Sequence, residues 1–427
     1  MRLKIFLCVL AVIASCAFDA QAQVTAVKAG RLLDTAAGTA ATNQVILIEG
    51  GKIKAVGANL QIPPGADVVD LSDSTVLPGL FDAHTHLCAR VRIEADRLGV
   101  DYLDLVLLDP AGYRAIQGVV HAREMLDAGF TTVRDVGNAG NYVDVDLQRA
   151  INEGLVPGPT MVVAGRIIAP FGGQYRTRSE KRFLDNPEYF FADTADEIRK
   201  AVRENVYYGA NVIKVVADGQ KYSYTAEDLK LFVSEAARAG VRVAVHCQTK
   251  TCERDAAAAG VASIEHAWSL ADAGVAELMK RNNVVLVSTD FTEKVLAGFG
   301  WNEAGAKRIH AARVARLKRA YEAGVTIAFG TDVMVDLEGE TRGTLAAGYV
   351  DSFVEAGVPS KTILQIMTVN AARLLGVEKE RGTIAPGMYA DLIATRGNPL
   401  EDVRALKSVT FVMKNGRVHR HKGKASP

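Results

Sequence analysis

Apolar positions change their rhythm along the chain. From about 24 to 76 they come in short runs broken by glycine and acidic residues. The runs at 26–30, 45–51 and 52–57 read as short strands, with Gly50-Gly51 as a tight hairpin turn. The C-terminus has the same texture: a strand at 390–394, then 409–413 and Val418 on either side of an Asn415-Gly416 turn. Neither end alone can bury a good core, so both are expected to pair in one β-sandwich-like module. Between them strand-like and helix-like patterns alternate, as in a parallel α/β fold. Eight strands are predicted, at 80–84, 131–136, 161–165, 212–217, 241–246, 263–266, 284–288 and 326–330. Helical stretches such as 226–239 and 306–323 lie between them, and glycine recurs as a helix stop at Gly129, Gly209, Gly240, Gly260 and Gly324. Eight such units predict a (β/α)₈ barrel over 79–388, flanked by sandwich portions at 23–78 and 389–427.

Composition adds exclusions. The chain has 427 residues and a formal net charge of +1, so no basic face for nucleic acid is implied. Neither a G-x-G-x-x-G nor a Walker A pattern is present, which argues against a doubly wound nucleotide-binding sheet. Eight strands in one series also disfavour the two similar lobes of a periplasmic binding protein. Residues 1–22 read as a secretory signal peptide: Met1-Arg2-Leu3-Lys4 is basic, the following run is apolar but short, and Ala20-Gln21-Ala22 is a cleavage site. An exported protein, periplasmic or secreted and without a membrane span, is expected. Ile13-Ala14-Ser15-Cys16 offers a competing lipobox, with Cys16 lipidated. Three cysteines remain after cleavage, Cys88, Cys247 and Cys252, and the odd count argues against a disulfide framework. Cys247 is expected as a buried apolar residue.

Candidate chemistry gathers at the strand ends. His84 and His86 are i and i+2, which in a strand puts both imidazoles on one face. His246 and His266 end two further strands, and Asp332 follows another. Barrel enzymes place active sites at this C-terminal rim, and imidazole is a common metal ligand. Lys214 lies within the apolar run 212–216, where an unpaired ammonium is costly. It is either paired with an acid, led out to water, or converted by CO₂ to a carbamate able to bridge two cations. His121, His310, His419 and His421 are expected to be structural or exposed.

The set His84-x-His86, Lys214, His246, His266 and Asp332 resembles the metal-dependent amidohydrolase superfamily. So do Val76-Leu77-Pro78-Gly79-Leu80-Phe81-Asp82-Ala83-His84-Thr85-His86, Gly129-Phe130-Thr131-Thr132-Val133-Arg134-Asp135, Ser263-Ile264-Glu265-His266, Phe329-Gly330-Thr331-Asp332 and the stretch from Gly382 to Leu392. Within it, the chain looks like the imidazolonepropionase-related branch of prolidases, carboxypeptidase-type dipeptidases and ochratoxin-hydrolysing enzymes. The resemblance implies two divalent metals, usually zinc. His84, His86 and Asp332 would bind the more buried one, His246 and His266 the second, and carboxylated Lys214 would bridge both. It also implies Asp332 as the proton shuttle, and relatives often assemble into homo-oligomers. One departure is Gly172-Gly173-Gln174, where many relatives carry Gly-Gly-His.

The expected reaction releases a C-terminal amino acid from a dipeptide or an N-acyl amino acid such as ochratoxin A. A substrate carboxylate is best held by Arg, Lys or Tyr. Loop candidates are Gln174, Tyr175, Arg176 and Arg178 after strand 3, and Lys221, Tyr222 and Tyr224 after strand 4. Cys88 is expected on the pocket wall. The alternatives are a single-metal deaminase or cyclic-amide hydrolase, and a non-catalytic scaffold or binding protein on the same fold.

Overall fold

The computed structural model describes residues 23–91, 109–138, 140–174, 179, 188–270 and 273–421. The expected leader 1–22 with Cys16, and the loop candidates Tyr175, Arg176 and Arg178, lie outside the described residues.

Both chain ends build one seven-stranded sheet. Its N-terminal strands are β1 (Thr25–Asp34), β2 (Thr39–Glu49), β3 (Lys52–Gly57) and β4 (Asp67–Pro78). Its C-terminal strands are β15 (Leu392–Thr395), β16 (Val409–Lys414) and β17 (Arg417–His421), in the spatial order β17-β16-β15-β4-β1-β2-β3. The seam between the ends is antiparallel β4–β15, with Leu392 opposite Pro78. Val27 and Ile46, Ile53 near one edge, and Phe411 and Met413 near the other share one buried cluster. The sheet therefore curls over a common core, which is how two weak ends gain the burial neither has alone. Gly50-Gly51 turns β2 into β3, and Asn415-Gly416 turns β16 into β17, as the pattern predicts.

The barrel strands are β5 (Leu80–Thr85), β6 (Phe130–Asp135), β7 (Thr160–Val163), β8 (Ile167–Ala169), β9 (Tyr189–Phe191), β10 (Val212–Val216), β11 (Arg242–Cys247), β12 (Ser263–His266), β13 (Val285–Val287) and β14 (Ile327–Ala328). They pair in parallel as β5-β6-β7 and as β14-β13-β12-β11-β10-β8-β9. Two backbone bonds join these arcs: Ala83 N–H donates to the Phe329 carbonyl at 2.7 Å, and Asn211 N–H to the Val163 carbonyl at 2.9 Å. The ring is thereby closed. Burial on both faces explains why β10 is apolar apart from Lys214, and it buries Ser263, Glu265 and His266 of β12 as well. The helices Ala226–Arg238 and Lys250–Ala259 end where Gly240 and Gly260 take φ of 70° and 71°, a conformation that favours glycine, before β11 and β12 begin.

Three elements differ from expectation, and the first is β9, which pairs with β8 and has no counterpart among the eight predicted strands. The third predicted strand divides: β7 pairs with β6, and after the turn at Gly165 β8 pairs with β10. The eighth is only Ile327–Ala328, because the chain leaves the ladder towards Asp332. Among the described residues no helix is long and apolar enough to cross a membrane.

Candidate metal centre and active site

His84 and His86 leave the end of β5 on the same side. Their Nε2 atoms lie 3.6 and 3.1 Å from Asp332 Oδ1. Each ring is oriented from behind: His84 Nδ1 lies 2.6 Å from Glu265 Oε2, and His86 Nδ1 lies 2.6 Å from the Gly137 carbonyl. Those contacts place the proton on Nδ1 and leave the Nε2 lone pairs facing Asp332. Asp332 has a φ of 57°, an uncommon backbone state, and its N–H donates to the His84 carbonyl at 2.8 Å. The donor atoms of His84, His86 and Asp332 lie within 4.8 Å of one another, a group that could hold a metal ion.

The other expected residues meet the same point. Lys214 projects from β10 in full burial, with Nζ 3.4 Å from His84 Nε2. Among the described residues no carboxylate lies within ion-pair distance of it. Burial pushes its amine down to about 8. His246 and His266, from β11 and β12, have ring centroids 4.4 Å apart, and His266 lies 4.9 Å from His84. His266 Nδ1 is 2.9 Å from Thr289 Oγ1 and 3.8 Å from Asp332 Oδ2. Burial holds His84, His246 and His266 well below the usual histidine range, so these rings are neutral. Burial opposes protonation of His86 as well, but the Asp332 carboxylate outweighs it and raises that pKa. Neutral imidazoles and a carboxylate converging in a buried site are the donor chemistry of a divalent cation.

A second layer supports the first. Arg134, buried on β6, donates to Glu265 Oε1 at 2.7 Å, to the Ala83 carbonyl at 2.6 Å and to Ser263 Oγ at 3.0 Å. Glu265 thus bridges Arg134 and His84. Asp82 accepts from Thr331 Oγ1 at 2.6 Å and from His84 N–H at 3.0 Å, fixing the β5 and β14 ends together. Desolvation pushes the Asp82 carboxyl up to about 7. Both supporting acids sit inside motifs that drew attention only for their histidines and Asp332.

Above the cluster opens a cavity of ≈ 480 Å³. Gln174 lines it, with Nε2 3.3 Å from His246 Nδ1, so the glutamine that replaces the expected histidine still reaches the cluster. Gln248 also lines it, as do Trp268 and Trp301, the chain's two tryptophans, and Arg313. None of these four is singled out by sequence pattern. The available signal was position, since Trp268 follows β12 by two residues and Trp301 lies in the segment after β13.

Four expected contacts fall elsewhere. Cys88 is buried behind the site, its Sγ against the Val143 carbonyl, and does not line the cavity. Tyr224 is also buried, with its hydroxyl donating to the Ala192 carbonyl at 2.7 Å. Lys221 and Tyr222 are exposed and line no part of the cavity, Tyr222 at 80% exposure. The cause lies at Asp218, whose carboxylate accepts from Gln248 and Thr249 N–H and turns this loop away from the rim. The absence of a disulfide is also overturned: Cys247 and Cys252 are bonded, and Cys88 is the free thiol among the described residues. Thr249 caps the helix Lys250–Ala259 and brings its first turn back over the end of β11, with the two Cα atoms 5.5 Å apart. His121 and His310 are structural: His121 Nδ1 donates to the Leu87 carbonyl, and His310 donates from Nδ1 to the Phe291 carbonyl with Nε2 against Glu355.

Residues 75–419 match the amidohydrolase family. The chain is 30% identical over 449 residues to an ochratoxinase from Aspergillus niger, covering 94% of this chain and 88% of that protein. It is 22% identical to an imidazolonepropionase from Thermoplasma acidophilum, over 87% of each. Among solved structures, a Xaa-Pro dipeptidase with methionine bound in its active site superposes with a TM-score of 0.81 at 30% identity, covering 93% of this chain and all, 100%, of that one. The A. niger ochratoxinase structure gives 0.78 at 27% identity, covering 95% and 97%.

Proposed function

The chain belongs to the amidohydrolase family, and on that premise we propose that it cuts an amide or peptide bond to release a C-terminal amino acid, using two divalent cations, zinc for preference, and a carboxylated Lys214. The observation that carries the two-cation part is Lys214 itself: a buried amine among imidazoles, with no acid paired to it among the described residues. A neutral lysine amine attacks CO₂, an N–C bond forms, one proton leaves to solvent, and the resulting carbamate offers two oxygens. His84, His86 and Asp332 would hold one cation, His246 and His266 the other, with the carbamate between. When bound, the cations supply Lewis acidity and bring the pKa of water towards neutrality.

The remaining work falls to the chain's own groups. Glu265 and Gly137 hold the His84 and His86 rings so that Nε2 stays available. Asp332 Oδ1 faces those rings on the open side, placed to take a proton from the attacking water and to deliver it to the leaving nitrogen. The apolar cavity wall excludes bulk water and strengthens each of these contacts. A dipeptidase and an ochratoxinase among the relatives support an amide-cleaving reading.

The test is a screen of dipeptides and N-acyl amino acids with metal-loaded protein, detecting freed amino acid, together with metal analysis. Free amino acid and about two metals per chain are expected. One metal per chain with release of ammonia would instead place the protein with the deaminases.

A further inference from the structure

Arg313 is a cation in the wall of the cavity with no acid paired to it among the described residues. It lies on the helix Glu303–Glu322 and lines the same cavity as the metal cluster. Its guanidinium carbon sits 3.9 Å over the Trp268 ring, and that ring lies 6.1 Å from His266. Among the described residues it makes no ion pair, and its buried Nε has no hydrogen-bond partner. The acids lining this cavity, Glu188 and Asp332, are not within ion-pair distance of it. Its neighbour on the helix behaves differently: Arg316 is bonded to Asp290 Oδ1 at 2.7 Å and to the Ser288 carbonyl at 2.6 Å. A fork of N–H donors held over an indole, with donors unspent, is a preorganised receptor for a carboxylate.

Its surroundings restrict what carries that carboxylate. Ile309 stands one helical turn before Arg313 on the same face. Phe291, Leu296, Phe299 and Trp301 continue the apolar wall. A group attached next to the carboxylate therefore enters an apolar slot. The Trp268 indole neighbours both the guanidinium and His266, so a carboxylate held there shares one cavity with the histidines.

We propose that Arg313, laid on Trp268, binds the carboxylate of the released amino acid and selects one with a large apolar side chain. The proposal deepens the amide-cleavage reading above and rests on it for the identity of the carboxylate. Discrimination is set by the charge-assisted bonds of Arg313, and the stacked indole fixes their direction. The loop residues Lys221 and Tyr222, expected to do this, are turned away from the cavity.

Because both tryptophans line the cavity, intrinsic fluorescence reports its occupancy without turnover. The full-length, metal-loaded protein is titrated with L-phenylalanine, L-phenylalaninamide and L-alanine. Tighter binding of the acid than of its amide, by roughly 10- to 100-fold, is expected, with alanine weaker than phenylalanine. Arg313→Gln should abolish the preference for the acid and leave amide binding unchanged, and Arg313→Lys should restore part of the preference. In turnover of N-acetyl-L-phenylalanine, Arg313→Gln should raise KM far more than it lowers kcat. A variant that keeps the preference overturns the assignment, as does a wild-type protein that shows none or an equal loss of both ligands. Carboxylate binding through Arg313 without release of amino acid from any acylated substrate would sink the reaction reading and leave Arg313 standing. Turnover with KM unaffected by Arg313→Gln would do the reverse.

Discussion

At the scale of single residues, the cluster depends on groups that touch no substrate. Glu265 holds His84 Nδ1 on one side and Arg134 on the other, all three buried. Glu265→Gln should lower metal affinity about 10- to 100-fold by loosening that ring. It should also cost about 3–5 kcal/mol of stability, because Arg134 keeps its charge and loses its partner. Metal titration and denaturant unfolding of the metal-free protein measure the two effects separately, and an unchanged metal affinity would remove Glu265 from the orienting role. Asp332→Asn should abolish turnover while much of the metal stays bound, and a near-wild-type kcat would rule out the proton shuttle. The convergence of these side chains at one rim was legible because its signals are local: alternate residues on a strand, histidines at strand ends, a lysine in an apolar run. Arg313 was not, because nothing in its helix announces that it will lie on an indole from a different loop. Tyr224 misled for the converse reason, since the direction of its loop is set by hydrogen bonds that Asp218 accepts from a neighbouring βα turn.

At the scale of elements, β5 and β14 must approach closely for His84 to meet Asp332. A Cβ on Gly330 would stand 2.3 Å from Val287 Cγ1 and 2.9 Å from His84 Cβ. Gly330→Ala should therefore destabilise the fold by about 1–3 kcal/mol and weaken metal binding, read as a lower Tm and a lower metal content. An unchanged Tm would mean that the strand ends have room to spare. In the terminal sheet, Lys414 is buried near the end of β16, where desolvation pulls its pKa down to about 8 from the usual 10.5. Below pH 8 both folded and unfolded chains hold the proton, and the folded chain bears the cost. Between 8 and 10.5 the unfolded chain binds more protons, so stability rises with pH, and above 10.5 the cost is gone. Lys414→Met should stabilise the protein by about 1–3 kcal/mol at neutral pH, with the gain shrinking as pH climbs through that window. Denaturant midpoints across the range check the sign. Eight strands were visible from periodicity, but the division of the third was not, because the run 167–169 beyond Gly165 and Arg166 is too short to announce a strand by pattern. The cysteine count misled in a different way: an odd number requires one thiol to stay free and says nothing about whether the other two meet.

At the scale of the molecule, separated strands bring desolvated polar groups to one rim, so on the proposed reading the cluster is a local liability until cations bind. Chelation should lower Tm, and returning metal should raise it with a logarithmic dependence on free metal concentration. A Tm indifferent to chelator would mean that the cluster holds nothing that matters to the fold. The same architecture governs how the chain can be made. Strand β4 lies between β1 and β15, with Leu392 opposite Pro78 across the whole length of the barrel. A nascent chain that has not yet emerged as far as residue 390 carries β4 with one row of backbone amides and carbonyls unmatched, an invitation to pair with another copy. Contacts so distant in sequence also form late, since a long loop must close before they are rewarded. The last few dozen residues act as a clasp. Chains ending prematurely, even with every metal ligand already synthesised, are expected to aggregate rather than fold into a smaller enzyme.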